Sequence, residues 1–429
     1  VVKTSESEWV INAVKPIQEV VILDPGLREF GGHHPALLES LAKSKVLNDA
    51  NLNLTVYGHA DCNEALVTKL TQGCLQVAPY FTTSFYRHFY SQEKLFTFNG
   101  YITDLAKEYL NVMQRYKNKA VLFLYHTLNW EHASALALAI ALLQRGVGLQ
   151  HYHLVCLMYN PCSMSHDQEN AAGRYGKFRL GFNALSECIN VKLFTAEHEL
   201  TKNYQTMLGR SLGWHPCGLL SSRHRRDIEN AQKKTPTDKR NILLYMGDAK
   251  VNKGFLQLPE LLEKVSKEIL GPSVRIVLQY TITNESESLA EVDKQLLQQQ
   301  INDERIVLYR DFLTDEEIHQ LWLNTAHVVF NYDETVYQTQ SSGVLWLAAA
   351  YQANIYLLTN TWLNREVRRL GCDYEEVASF EQFIQKLLTQ GTKKAKSDKL
   401  LGCESEYAQR LFSDLGEWLM SNISQLKGH

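Results

Sequence analysis

Two hydrophobic rhythms alternate along this chain. Short, almost continuous apolar runs, EVVILD (19–24), LNLTVYG (52–58), AVLFLYH (120–126), HLVCLMY (153–159) and INVKLFT (189–195), are separated by longer stretches of helical period such as LFTFNGYITDLAKEYLNVMQRY and HASALALAIALLQRG. A run that is apolar at odd and even positions alike has no solvent face, as in a parallel sheet covered by helices on both sides. Strand followed by helix, repeated, predicts a doubly wound α/β domain.

The pattern breaks between 213 and 240, where WHPCGLL is followed by SSRHRRDIENAQKKTPTDKR. This polar, basic, aperiodic stretch reads as a linker or long connecting loop. Its cluster Arg223, Arg225 and Arg226 reads as a solvated face, with anionic lipid or substrate as the alternative. Alternation then resumes with NILLYMG (241–247), VRIVLQY (274–280), RIVLYRD (305–311), AHVVFNY (326–332) and NIYLLT (354–359), which predicts a second α/β domain. The chain closes with EYAQRLFSDLGEWLMSNISQL, read as one amphipathic helix with Leu411, Leu415, Leu419 and Ile423 on a stripe. The expected organisation is an N-terminal Rossmann-like acceptor-binding domain over 1–212, a C-terminal Rossmann-like donor-binding domain over 213–405 and a helix over 406–429 crossing the junction. Two such domains face each other across a cleft, and ligands bind beyond the carboxyl ends of the strands.

Composition narrows the function. A chain of 429 residues accommodates two domains, and a formal charge of -3 gives no basic face for nucleic acid. The eight cysteines include no C-x-x-C pair, which favours free thiols in a reducing, cytoplasmic compartment. No run reaches the 18 or so apolar residues of a membrane span, so membrane contact is expected to be at most peripheral, at the inner face. The chain begins at Val1 without a methionine, as a segment of a longer protein would.

Three stretches carry candidate chemistry. In DPGLREFGGHHP a Gly31-Gly32 pair after the first strand lets something approach the backbone closely, with His33 and His34 beside it. In GDAKVNKGF, Lys250 and Lys253 sit in a loop leading into a helix, where cations and unpaired N–H groups together suit a phosphate or diphosphate; a plain lysine-bearing loop is the alternative. In FNYDETVYQTQSSGVLWLAAAYQ, Asp333 and Glu334 end a strand and Ser341, Ser342 and Gly343 open an apolar helix, either as a second anion cradle or as a simple cap. His126 ends a strand at the expected cleft and could donate to a sugar hydroxyl or act in acid–base catalysis, as could His33 and His34. Arg28, Arg174 and Arg179 are placed in loops. His151 and His153 share a strand face but lack a third ligand, so no metal site is expected.

The order G-x-x-x-x-x-K-G-F, LTDEEIHQLWLNTAHVVFNYDE and SSGVLWLAAAYQANIYLLTN resembles the donor-binding domain of GT-B glycosyltransferases of the retaining, GT4-like group. The resemblance covers most of the chain and implies a Gly-Gly turn near the donor phosphates or acceptor, matched by Gly31 and Gly32. It also implies a nucleotide-sugar donor as substrate, no separate cofactor, no required metal, and a glycan, lipid-linked or small-molecule acceptor, as in polysaccharide biosynthesis. Departures are specific: the family arginine is Asp248, the E-x7-E pair falls on Gln340 and Ala348, and a family histidine falls on Tyr159. Asp333 and Glu334 are the residues that could take over ribose binding. The departures support an alternative, a catalytically degenerate GT-B protein serving as a binding or partner subunit; a nucleotide-sugar epimerase on the same scaffold is a further rival, against which the loss of both glutamates argues because such an enzyme would need carboxylates in the cleft.

Overall fold

The computed structural model describes residues 16–50, 52–83, 98–144, 150–162, 171–233, 241–269, 274–283, 286–390 and 405–427. Two wholly parallel sheets organise it. The first contains β1 (Glu19–Leu23), β2 (Asn53–His59), β3 (Leu75–Phe81), β4 (Val121–Tyr125), β5 (His151–Leu157), β6 (Val191–Thr195) and β7 (Gly213–Trp214), in the order 3-2-1-4-5-6-7. The second contains β8 (Asn241–Asp248), β9 (Arg275–Thr281), β10 (Ile306–Tyr309), β11 (Thr325–Phe330), β12 (Asn354–Leu357) and β13 (Tyr374–Glu376), in the order 10-9-8-11-12-13.

Each central strand is buried on both faces, and its residues alternate between two cores. In β4, Val121, Phe123 and Tyr125 join the core under the helices Phe98–Arg115 and Trp130–Gln144, while Leu122 and Leu124 join the core under the helix His33–Ala42. This division explains the continuous apolar runs: neither face of these central strands meets water. The start of the expected LFTFNGY helix, 95–97, lies outside the described residues.

Several expectations are corrected. Strand β3 was not anticipated because Pro79 and half-exposed positions interrupt its pattern; it is an edge strand, where a missing N–H is tolerated. The stretch after 213 is not a plain linker. Gly213–Trp214 pairs with β6, and Ser222–Lys233 is a helix. That helix has few apolar anchors, chiefly Ile228, and is held largely by polar contacts: His224 stacks on His319 at 4.3 Å and Arg223 reaches Glu316 at 3.2 Å. Residues 234–240 lie outside the described set.

The terminal helix is two helices, Glu406–Leu411 and Leu415–Lys427, broken where Asp414 caps the second by accepting from Glu417 N at 3.0 Å. Leu411 belongs to the core of the second domain, whereas Leu415, Leu419 and Ile423 pack with Leu38, Leu41 and Leu47 of the first. The chain therefore crosses the junction at 412–414. Other ties are Lys43 to Asp315 at 2.7 Å, Arg365 and Arg369 to Glu199 at 2.8 Å, and Asn160 Nδ2 to the Thr339 carbonyl at 2.9 Å.

Candidate active site

In each sheet the strand order reverses once, between β1 and β4 in the first and between β8 and β11 in the second. Chains leaving adjacent strands at such a point diverge to opposite faces and open a crevice. The candidate residues occupy these two crevices. Asp24 follows β1, His126 follows β4, the Gly247–Lys253 loop leaves β8, and the Asn331–Gly343 segment follows β11.

At the first crevice Asp24 turns back, its Oδ1 accepting from Gly26 N at 3.1 Å. Its carboxylate meets His34 Nδ1 at 2.7 Å and His126 Nε2 at 3.3 Å, and the two histidine nitrogens are 3.3 Å apart. All three side chains are buried. Burial raises the Asp24 pKa, and it lowers those of His34 and His126 to about 3. His33 stacks on His34 with ring centres 4.2 Å apart, and burial also lowers its pKa to about 3.

Gly31 and Gly32 have φ of +86° and +77°, a region that favours glycine. The close approach at Gly31 comes from the opposite domain: a Cβ there would lie 2.4 Å from the Phe312 ring. Gly32 faces open space and stands at the N-cap of the helix His33–Ala42.

At the second crevice the two lysines separate. Lys250 is exposed and turned toward Asp248, with Nζ 3.6 Å from its carboxylate. Lys253 is half-buried over the Tyr332 ring at 5.9 Å, and its ammonium has no hydrogen-bond or ion-pair partner among the described residues. Burial and then Lys250 lower its pKa to about 8, with Asp248 opposing. Gly247 makes room for it, since a Cβ at that φ of +112° would be 3.1 Å from Lys253 Nζ. Tyr332 in turn lies with its hydroxyl 3.5 Å from Ser342 Oγ.

Ser342 is the N-cap position of the helix Gly343–Ala350 but makes no side-chain cap bond, so the first-turn amides are not satisfied from that side chain. Asp333 and Glu334 serve the local chain. Asp333 Oδ1 accepts from Val336 N at 2.9 Å, Glu334 Oε1 accepts from Asn360 N at 3.1 Å, and neither lines the interdomain cavity.

That cavity, about 440 Å³, joins the crevices. His33 and His126 line one side, and Ser341, Gly343 and Trp346 the other, so two helix N-termini border it from opposite domains. Sequence reasoning undervalued Arg174, which lies on the helix Ala171–Ser186 rather than in a loop; it is buried on the cavity wall and stacks over Phe178 at 4.7 Å. Arg179 on the same helix is exposed, and Arg28 pairs with Asp61 at 3.6 Å. Asn160, Glu197 and His215 also line the cavity and had no motif to signal them. Glu197 is a carboxylate already engaged, accepting from Glu199 N and Leu200 N at 2.7 and 2.6 Å. Gln340 and Tyr159 are on the wall, while Ala348 is inside the core. No described helix is long and apolar enough to cross a membrane.

No family model matches the chain, and no curated protein matches it in sequence. Solved structures do resemble it. Sucrose-phosphate synthase from Thermosynechococcus elongatus has a TM-score of 0.57 over 95% of this chain and 98% of its own, at 13% identity. UDP-GlcNAc 2-epimerase from Methanocaldococcus jannaschii gives 0.54 at 12% identity, over 95% and 99%. Anabaena HepE in complex with UDP and glucose gives 0.55 at 12% identity, over 94% and 99%. At these identities the likeness is one of fold, and the fold is GT-B.

Proposed function

We propose that the protein is a GT-B glycosyltransferase that moves a sugar from a nucleotide-sugar donor to a glycan, lipid-linked or small-molecule acceptor. The observation that carries this reading is the interdomain cavity bordered by helix N-termini from both domains, with Arg174 on its wall and Lys253, whose ammonium has no ion-pair partner among the described residues, one aromatic ring away from Ser342. Its size suits a ligand of that class. The structure of HepE with UDP and glucose, on the same fold, agrees with it.

In this reading the diphosphate lies against the amides of Gly343 and its neighbours, with Lys253 and Arg174 meeting its charge, so the donor needs no metal. The anomeric C–O bond breaks and its electrons pass to the diphosphate, where fixed donors stabilise the developing charge. A new bond forms from the acceptor oxygen to the anomeric carbon. His33 accepts a hydrogen bond from the acceptor hydroxyl, whose proton passes to a phosphate oxygen of the leaving group. Retention at the anomeric carbon rests on the resemblance to the GT4-like group.

Gln340 and Ala348, where that group carries glutamates, favour a second reading, a degenerate GT-B partner subunit. Calorimetric titration with UDP, GDP, ADP, dTDP and CMP separates the two. Binding of one nucleotide, weakened about 10- to 100-fold in Lys253→Met as expected for loss of a charge-assisted contact, supports the transferase. Absence of binding by the folded protein rejects it in favour of the partner subunit.

A further inference from the structure

We propose that Asp24, His34 and His126 bind one divalent transition-metal ion of the zinc class. The three ligand atoms converge from three separate parts of the chain: the loop after β1, the first turn of the helix His33–Ala42 and the end of β4. His126 Nε2 lies 3.3 Å from Asp24 Oδ2 and 3.3 Å from His34 Nδ1, and His34 Nδ1 lies 2.7 Å from the other carboxylate oxygen, Oδ1. Four-coordinate zinc with bonds of about 2.0–2.1 Å places its ligands about 3.3–3.4 Å apart. With Oδ2 as the carboxylate ligand, the two edges that meet at His126 Nε2 already have that length, and His34 Nδ1 lies within 4.8 Å of the same oxygen.

Charge and satisfaction point the same way. Asp24 is 3% exposed, and no lysine or arginine lies within ion-pair distance of it among the described residues. Its Oδ2 is buried without a well-formed hydrogen bond, as is His126 Nδ1. A buried carboxylate is costly without a compensating cation. Two imidazoles with one carboxylate suit zinc, cobalt or iron better than magnesium or calcium, which favour oxygen ligands. The surroundings are built for this geometry: Gly26 N holds Asp24 Oδ1, and a Cβ at Gly26 would lie 2.3 Å from the His34 ring.

Three protein ligands leave a fourth position, and His126 and His33 both line the cavity. His33 Nε2 is buried without a hydrogen-bond partner among the described residues, so it can hold a metal-bound water in the fourth position. When bound, the ion supplies Lewis acidity beside the acceptor region. The inference does not depend on the nucleotide-sugar reading, because the test is made without nucleotide.

Purified protein is stripped with a chelator, loaded with Co²⁺ or Zn²⁺, desalted and assayed for metal and for visible absorption. The expected result is one equivalent per chain, with the intense d–d bands of four-coordinate cobalt and no thiolate charge-transfer band. Asp24→Asn and His126→Gln are each expected to lose the metal by more than the roughly 10- to 100-fold caused by removing an outer-shell partner. Absence of retained metal, a thiolate band from the chain's cysteines, or equal retention by both folded variants would overturn the proposal and leave a metal-free hydrogen-bonded relay. If the variants fail to fold, the cobalt spectrum of thiol-blocked wild-type protein decides the question.

Discussion

Replacing Glu366 with glutamine should make the protein more stable relative to wild type as pH rises. Glu366 is fully buried; its Oε1 accepts from Trp346 Nε1 and Tyr407 OH, both at 2.9 Å, and its Oε2 faces Arg369 at 3.7 Å. Burial and then the nearby Glu197 raise its pKa from 4.5 to about 7, against the lowering effect of Trp346, Tyr407 and Arg369. The native state therefore keeps a proton that the unfolded chain has released. Stability from this group is full below pH 4.5 and is lost as pH rises through 7. At about 1.4 kcal/mol per pKa unit, the rise corresponds to about 3 kcal/mol. Glutamine keeps the acceptor for Trp346 and Tyr407 but carries no charge. Urea denaturation of wild type and Glu366→Gln at matched pH should give a difference that moves by about 3 kcal/mol toward the variant between pH 4.5 and 8. A parallel pair in a Glu197→Gln background separates the contribution of that neighbour. A difference constant to within about 0.5 kcal/mol across this range would refute the reasoning.

Gly31→Ala should destabilise the protein by about 1–2 kcal/mol through its backbone conformation alone, with an added steric part from Phe312; in a Phe312→Ala background only the backbone part should remain, as read by urea denaturation. Gly254→Ala should cost more than Gly31→Ala in the same assay, because its φ is +78° and the new Cβ would meet the Asn331 carbonyl at 2.5 Å, a backbone atom that cannot rotate away. Leu419→Ala should cost about 2–5 kcal/mol, since the side chain is fully buried where the last helix packs on the first domain, and limited proteolysis should then release that helix.

The doubled α/β plan was legible because parallel strands covered on both faces must be apolar at every position, a local property that NILLYMG and VLFLY display directly. Edge elements were not. Strand β3 carries Pro79, and β7 and β13 have only two and three residues, too few for any period. The helix Ser222–Lys233 was missed for a related reason, its attachment being polar rather than apolar. At the candidate site, glycines and terminal histidines left a signal, so Gly31, Gly32, His33, His34 and His126 could be named. Arg174, Asn160, Glu197 and His215 could not, because each reaches the cavity from a different element without a shared motif.

By itself the sequence determined where the buried central strands lie, that there are two sets of them, and which residues near strand ends could bind anions or move protons. Tertiary structure alone decided strand order, and with it the pairing of β1 with β4 and of β8 with β11 that opens the two crevices. It also decided that Lys250 turns to Asp248 while the Lys253 ammonium has no ion-pair partner among the described residues, and that Asp24 joins His34 and His126 in one buried cluster. The physical reason is range. Periodicity records how each residue partitions between core and water, whereas ion pairing, register and ligand convergence depend on which distant segments the packed core brings together.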